Sequence, residues 1–315
     1  MKQRILTIIA SCLVLTGCMG DTGISGIPSE ALKSVTGFTA EDIGNAAKRV
    51  KYKTAGDCGN LCELDWWKTA TASDLKAELI AGAAVMGRVD VDNDHRDGGG
   101  LFDWGAKKSY WGGGTPLHFA ATEGTPAHIK ILINAGAKIN AKDVNGQRPL
   151  HRAAIEGTPA NIKALLSAGA DHDARNKESD TPLHVAAVYG NPAIIQALLT
   201  AGGLYTRNKD GDTPLNAEKW DAEGGHIVPA KNMKTLVLAG ADVNTMNNCS
   251  RTPLTKATRV GGPAEIMFLL KAGANPQPKK NSWSCWAANP LEAAAKNKKL
   301  KGTKAFYALR DATYK

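Results

Sequence analysis

The chain has 315 residues, 43% of them hydrophobic and 22% charged, which is enough apolar content for one large or two small cores and too much for a mostly disordered chain. Aromatic residues make up only 6%, so the apolar share comes mainly from Ala, Leu, Ile and Val, the usual content of short, closely packed helices. Thirty-nine Lys+Arg against 30 Asp+Glu give a net charge of +9, modest beside a nucleic-acid binder, and past the extreme N-terminus no segment is long and apolar enough to span a bilayer.

In chain order, residues 1–17 join a basic start (Lys2, Arg4) to an apolar run from Ile5 to Leu15. That run is too short for a stable transmembrane helix and has the shape of a secretory signal peptide. The sequence Leu15-Thr16-Gly17-Cys18 resembles the lipobox of bacterial lipoproteins. This resemblance implies cleavage before Cys18, a diacylglyceryl thioether on its sulfur, and a protein anchored to a membrane by several acyl chains. Met19 in place of Asp favours the outer membrane, again as a family inference, so the expected location is the periplasmic face of a bacterial envelope. Residues 18–56 read as a lipid-anchored tether, Gly/Ser/Thr-rich to about residue 28, with a short helix expected over Thr39 to Lys53.

Four cysteines remain after Cys12 leaves with the signal and Cys18 is lipidated: Cys58, Cys62, Cys249 and Cys285. An even number in an exported chain suggests disulfides, with Cys58 and Cys62 near enough in sequence to pair and Cys249 left to Cys285. The alternative is a zinc site, which the absence of Cys-x-x-Cys pairs disfavours.

The array is expected over residues 57–315: an N-terminal cap at 61–87, an insertion at 88–114, repeats at 115–295, and a basic cap at 296–315. In the cap, Leu75, Leu79 and Ile80 form the stripe of a second helix. The insertion is rich in Gly and Asp. Self-similarity then dominates: Thr115-Pro116-Leu117-His118 recurs as Arg148-Pro149-Leu150-His151 and Thr181-Pro182-Leu183-His184, at a spacing of 33 both times. Degenerate copies start at Thr213 and Thr252, with a trace at Asn289-Pro290-Leu291. Ala135-Gly136-Ala137 and its four later copies keep the same step.

Each unit can be read physically. Thr followed by Pro starts a first helix, the Thr side chain accepting from first-turn amides and the Pro lacking an N–H that would have no partner there. Gly157 and Gly190 are expected to close that helix in a left-handed conformation, before Thr158-Pro159 and Asn191-Pro192 start the second. Ile162, Leu165 and Leu166 make the apolar stripe of that second helix, and Lys142-Asp143-Val144-Asn145-Gly146 a polar finger beyond it. One unit cannot cover its own stripe, so neighbours must stack. In the fourth copy about six additional residues fall around Trp220 to Pro229, between its helices.

These motifs resemble the ankyrin repeat over about two-thirds of the chain. The resemblance implies an all-α solenoid of stacked helix-turn-helix units with finger loops, about five to six repeats including caps. It also implies recognition of a protein partner through finger tips and the exposed ends of first helices. On matching positions the fingers offer Trp111, Val144, Asn145, Gln147, Lys177, Glu178, Asp180, Lys209, Asp210 and Asp212. First helices offer Thr122, Glu123, Ile155, Glu156, Val188, Tyr189 and Trp220, with Trp111, Tyr189 and Trp220 as candidate hot spots.

His118, His151 and His184 recur at the repeat period, about 10 Å apart and too far to share one metal, so they read as structural, and the resemblance implies that they bond between neighbouring units. Asp90-x-Asp92-x-Asp94 opens like a calcium loop but has His95 where an EF-hand has Gly and Leu101 where it has Glu. No nucleophile elbow, phosphate loop or His-Glu-x-x-His occurs. The expectation is a non-catalytic, cofactor-free envelope lipoprotein that binds a protein, with no nucleic-acid or small-molecule partner. Its narrower form is an immunity or inhibitor protein against a secreted toxic enzyme. The rival expectation is a metal-dependent module or enzyme on the 88–114 insertion, using Asp92, Asp94, His95 and Asp97. A third is a structural envelope protein held by its basic tail.

Overall fold

A computed structural model describes residues 59–62, 64–80, 113–221, 224–278 and 289–314. The signal, tether, short helix and 88–112 part of the insertion lie outside the described residues, as do Cys58, Trp111 and Cys285.

After a 3-10 turn at Gly59–Cys62, helices α1 (Leu64–Thr69) and α2 (Ala72–Ile80) form an end pair. Three regular pairs follow: α3 (Pro116–Thr122) with α4 (Pro126–Asn134), α5 (Pro149–Glu156) with α6 (Pro159–Ser167), and α7 (Pro182–Tyr189) with α8 (Pro192–Leu199). The fourth unit has a 3-10 turn (Pro214–Asn216), strands β1 (Glu218–Asp221) and β2 (Gly224–Ile227), then α9 (Ala230–Leu238). Helices α10 (Pro253–Val260) and α11 (Pro263–Lys271) make the fifth. Helices α12 (Pro290–Lys296) and α13 (Lys304–Thr313) close the stack as a full pair, so the Asn289 trace belongs to the basic end and the layers exceed the expected number.

First helices pack on first helices and second on second, giving two rows with one continuous core from Leu61 to Leu309. Ala120 and Ala121, Ala153 and Ala154, and Ala186 and Ala187 are fully buried between successive first helices, where their small side chains allow close approach. In the end pair, Leu75 is fully buried, and Trp67 packs edge-on against Trp66 and His128 while its indole N–H donates to the Leu61 carbonyl at 3.0 Å.

Two local expectations are corrected. Gly157 and Gly190 sit at φ −75° and −74°, an ordinary extended conformation. They are glycine because a Cβ would lie 2.6 Å from the Ala121 carbonyl oxygen at Gly157, and 2.8 Å from that of Ala154 at Gly190, both in the preceding unit. The left-handed caps instead follow the second helices, as at Gly136 with φ +96°. The Thr115 and Thr181 hydroxyls also depart from expectation: they meet His118 and His184 Nδ1 at 2.9 and 2.8 Å rather than a first-turn amide. Thr158 and Thr252 do cap as expected, accepting from Asn161 N and Thr255 N at 3.1 and 3.2 Å.

The fourth unit departs from all-helix for a visible reason. Counted from Thr213 as from Thr181, Glu218 and Lys219 occupy the positions of Ala186 and Ala187. A continuing helix would drive two charges into the tightest part of the row. The chain instead leaves after one 3-10 turn and runs as an antiparallel hairpin, Glu218 opposite Ile227 and Lys219 opposite His226. Alternation along β1 sends neighbouring charges to different partners: Lys219 pairs with Asp180 of the third unit, and Glu218 with Arg259 and Lys256 of the fifth.

Candidate partner-binding surface

Five residues before each first-helix cap sits an Asx residue: Asp143, Asn176, Asn208 and Asn247. Each side-chain oxygen accepts from two amides of its own finger. Asp143 Oδ1 takes those of Asn145 and Gln147, both at 2.8 Å, and Asn176 Oδ1 those of Glu178 and Asp180 at 2.9 and 3.0 Å. Asn208 and Asn247 repeat the arrangement. Adjacent fingers are then joined backbone to backbone, Lys177 N to the Asn145 carbonyl at 3.1 Å and Asn248 N to that of Asp210 at 2.9 Å. The tips form a hydrogen-bonded edge rather than separate loops.

A second ladder lies behind it. His118, His151 and His184 reach the carbonyls of Gln147, Asp180 and Asp212 in the next finger through Nε2, at 3.1, 3.0 and 2.8 Å. In the fourth unit Asn216 replaces histidine, its Nδ2 donating to the Arg251 carbonyl at 2.8 Å. The expected structural role of these histidines holds. Burial depresses the imidazole of His151 to about 4 and also lowers that of His184.

Buried ion pairs form the third layer. Arg152 Nε and a terminal guanidinium nitrogen donate to Asp143 Oδ2 at 3.1 and 2.5 Å. Lys256 donates to Asp212 Oδ2 at 2.6 Å and to the Asn216 carbonyl at 2.8 Å. Burial pushes the Asp212 carboxyl up, and the Lys256 ammonium opposes that shift. Asp180 receives Lys219 and the Asn208 amide.

This layering corrects several expected contact residues. Asp180 and Asp212 are buried acceptors for lysine, and Gln147 is buried beneath its finger. Thr122 is buried with its hydroxyl donating to the Phe119 carbonyl at 2.9 Å, and Ile155 and Val188 are buried in the first-helix row. The positions matched the pattern, but stacking uses these side chains. Trp220 stands on β1, not on a first helix, and is 52% exposed with the Arg259 guanidinium 4.8 Å from its ring centre.

Of the remaining expected residues, Asn145, Lys177, Glu178 and Tyr189 line one cleft. Lys177, Lys209, Asp210 and Glu156 are exposed, and Glu123, Val144, Asn145, Glu178 and Tyr189 half-buried. Lys209 pairs with Glu178 across two fingers, which raises its ammonium above the usual lysine range. Between the second and third fingers lies a cleft walled by Asn145, Lys177 and Glu178 and floored by Ile155, Val185 and Tyr189, with Lys219 alongside. Sequence reasoning missed Val185 and Lys219; the lost Ala-Ala pair was the available signal for Lys219.

Among the described residues no group of three or more His, Cys, Asp or Glu is placed to hold a metal, and no helix is long and apolar enough to cross a membrane. The candidate ligands Asp92, Asp94, His95 and Asp97 lie outside the described residues. No curated protein matches the chain. A family model described as ankyrin repeats (3 copies) matches residues 94–176 and again 150–217, across the three units that share the histidine ladder. Residues 94–217 therefore carry ankyrin repeats, a repeat that generally builds non-catalytic protein-interaction scaffolds, and they lie within a stack that is mostly helical, with one two-stranded hairpin among the described residues.

Proposed function

We propose that this chain is a lipid-anchored protein of the bacterial envelope, held through Cys18 on the periplasmic face of a membrane, that captures a protein partner on its finger edge and the adjoining cleft. The observation carrying the reading is the division of labour in the fingers. Side chains needed by the stack are buried and paired, while Lys177, Glu178, Lys209, Asp210 and Tyr189 stand on a backbone that is already ordered. A surface ordered before binding loses less entropy when it meets a partner. Mixed charge around a tyrosine suits a polar rim with an aromatic anchor. The narrower reading is an inhibitor or immunity protein, which needs a rigid tethered surface and no chemistry of its own.

The test is affinity capture from an envelope fraction with the lipidated chain and with a Lys177→Glu, Asp210→Lys, Tyr189→Ala variant. The expected result is one partner recovered by the first and lost by the second at unchanged thermal stability. Equal recovery by both would place the binding elsewhere.

A further inference from the structure

The C-terminal end of the stack carries a cation cluster that plays no part in the finger edge. Lys296 ends α12, Lys298, Lys299 and Lys301 lie in the turn, and Lys304 opens α13; all five side chains are exposed. The turn is fixed from behind. Leu300 is fully buried, and Asn297 Nδ2 donates to the Thr258 and Gly261 carbonyls at 3.2 and 3.0 Å. Among the described residues none of the five lysines has a carboxylate at ion-pair distance, while Arg310 is neutralised by Asp311 at 2.8 Å. Tyr307 (47%) is exposed one turn past Lys304 and Tyr314 (79%) just beyond the last residue of α13, and Arg310 sits 5.1 Å from the Tyr307 ring centre.

We propose that this end docks on an anionic phospholipid surface. Lysine is a strongly hydrated point charge suited to diffuse attraction, whereas a site for one carboxylate or phosphate draws on the bidentate fork of arginine. Five lysines on one ordered turn present such diffuse charge without further folding, and each adds to attraction by acidic headgroups. Exposed Tyr307, one turn beyond Lys304, and Tyr314, past the far end of α13, match the preference of that ring for the boundary between headgroups and acyl chains. The lysines span residues 296–304 whereas the cleft is built from residues 145–219, so lipid contact leaves the finger edge free for a protein.

Vesicle co-sedimentation tests this with a chain beginning at Met19, which keeps every described residue. Vesicles of equal parts phosphatidylglycerol and phosphatidylcholine are compared with phosphatidylcholine alone. Binding to the anionic vesicles is expected to fall with salt and to drop at least about tenfold in a Lys298→Gln, Lys299→Gln, Lys301→Gln, Lys304→Gln variant of unchanged thermal stability. A Tyr307→Ala, Tyr314→Ala variant is expected to lose several-fold at every salt concentration. The proposal is overturned by equal binding to both vesicles, by no loss in the lysine variant, or by acidic polypeptide competing the chain off vesicles at the same charge concentration. The Lys177→Glu, Asp210→Lys, Tyr189→Ala variant should bind vesicles normally, so failure of partner capture and failure of lipid docking read out separately.

Discussion

His151 Nε2 lies 3.0 Å from the Asp180 carbonyl oxygen while its Nδ1 lies 3.3 Å from the Arg148 amide, which can only donate. Nδ1 is therefore the acceptor and the proton sits on Nε2, so the ring is held as one neutral tautomer joining two units. Protonation would put a second N–H against the Arg148 amide. Burial accordingly lowers this imidazole to about 4, so the folded state resists a proton that the unfolded chain accepts below its ordinary value of 6.5. Stability should be fully present above pH 6.5 and decline as pH falls toward about 4, with His151 contributing about 3 kcal/mol of that loss. His184 adds in the same direction, while Asp212, whose carboxyl is raised, takes up a proton early and offsets part of it. Urea unfolding measured across this window should show the decline, with a shallower slope in a His151→Asn variant.

Asp143 and Arg152 show how the finger and the first-helix row are coupled. At the two corresponding positions of the next unit the pair is Asn176 and Val185, and that finger keeps the same two amide bonds. The carboxylate at 143 is thus needed for Arg152, not for the turn. Removing either charge alone strands the other in the core and should cost about 3 kcal/mol or more. Asp143→Asn with Arg152→Val copies the neighbouring unit and should return to within about 1 kcal/mol of the parent. Chemical denaturation of the two single variants and the double variant forms the cycle that measures this.

Lys219 and Trp220 should separate just as clearly. Lys219→Ala leaves Asp180 buried with its amide donor alone and should destabilise by about 3 kcal/mol. Trp220→Ala, on the open side of the hairpin, should change stability by under about 1 kcal/mol. A large loss on removing Trp220 would mean that its ring serves packing after all.

The repeats were legible because their signals are local: a cap, a proline and a histidine at a constant step dictate a helix start and a bond to the next finger. The position of the fourth-unit insertion followed from that register, and the histidine role from the family resemblance it carries. The burial of Thr122, Ile155, Val188, Gln147, Asp180 and Asp212 did not, because a repeat position tells where a residue sits but not which neighbour its side chain meets. The hairpin was hidden for a related reason. Nothing local to Glu218 and Lys219 announces a hairpin until the row of buried alanines they would interrupt is in place.

Cys249 sits in the fifth finger and is disulfide-bonded. We propose Cys285 as its partner, since in sequence it precedes the Asn289 cap by four residues as Cys249 precedes the Thr252 cap by three. Closing a loop across the 36 residues from 249 to 285 should contribute about 4 kcal/mol. Peptide mapping without reductant should recover a 249–285 cross-linked peptide, and reduction should lower the unfolding temperature. Recovery of Cys249 bound to Cys58 or Cys62 would reject the pairing.

Asn161 and Asn232, on second helices, and Asn297, in the α12–α13 turn, form a ladder on alternate units. Asn161 Nδ2 donates to the Ala121 and Gly124 carbonyls at 3.2 and 2.9 Å, and Asn232 Nδ2 to those of Ala187 and Gly190 at 3.0 and 3.1 Å. Each amide fills the gap that opens where the first helix of the preceding unit ends and its last carbonyls lack an intrahelical partner. Asn161 and Asn232 are fully buried, so no water replaces them without repacking. Asn161→Ala should therefore cost about 2 to 3 kcal/mol, more than the loss of an average hydrogen bond, because two buried acceptors are left unmet. Asn161→Asp should cost more still, placing a carboxylate against carbonyl oxygens. Because a stack loses stability at the affected interface first, hydrogen exchange should rise most in the amides of 116–134 and 149–167 and least near 304–313. Uniform acceleration along the chain would mean that these units unfold as one block and that the asparagines do not set the strength of individual interfaces.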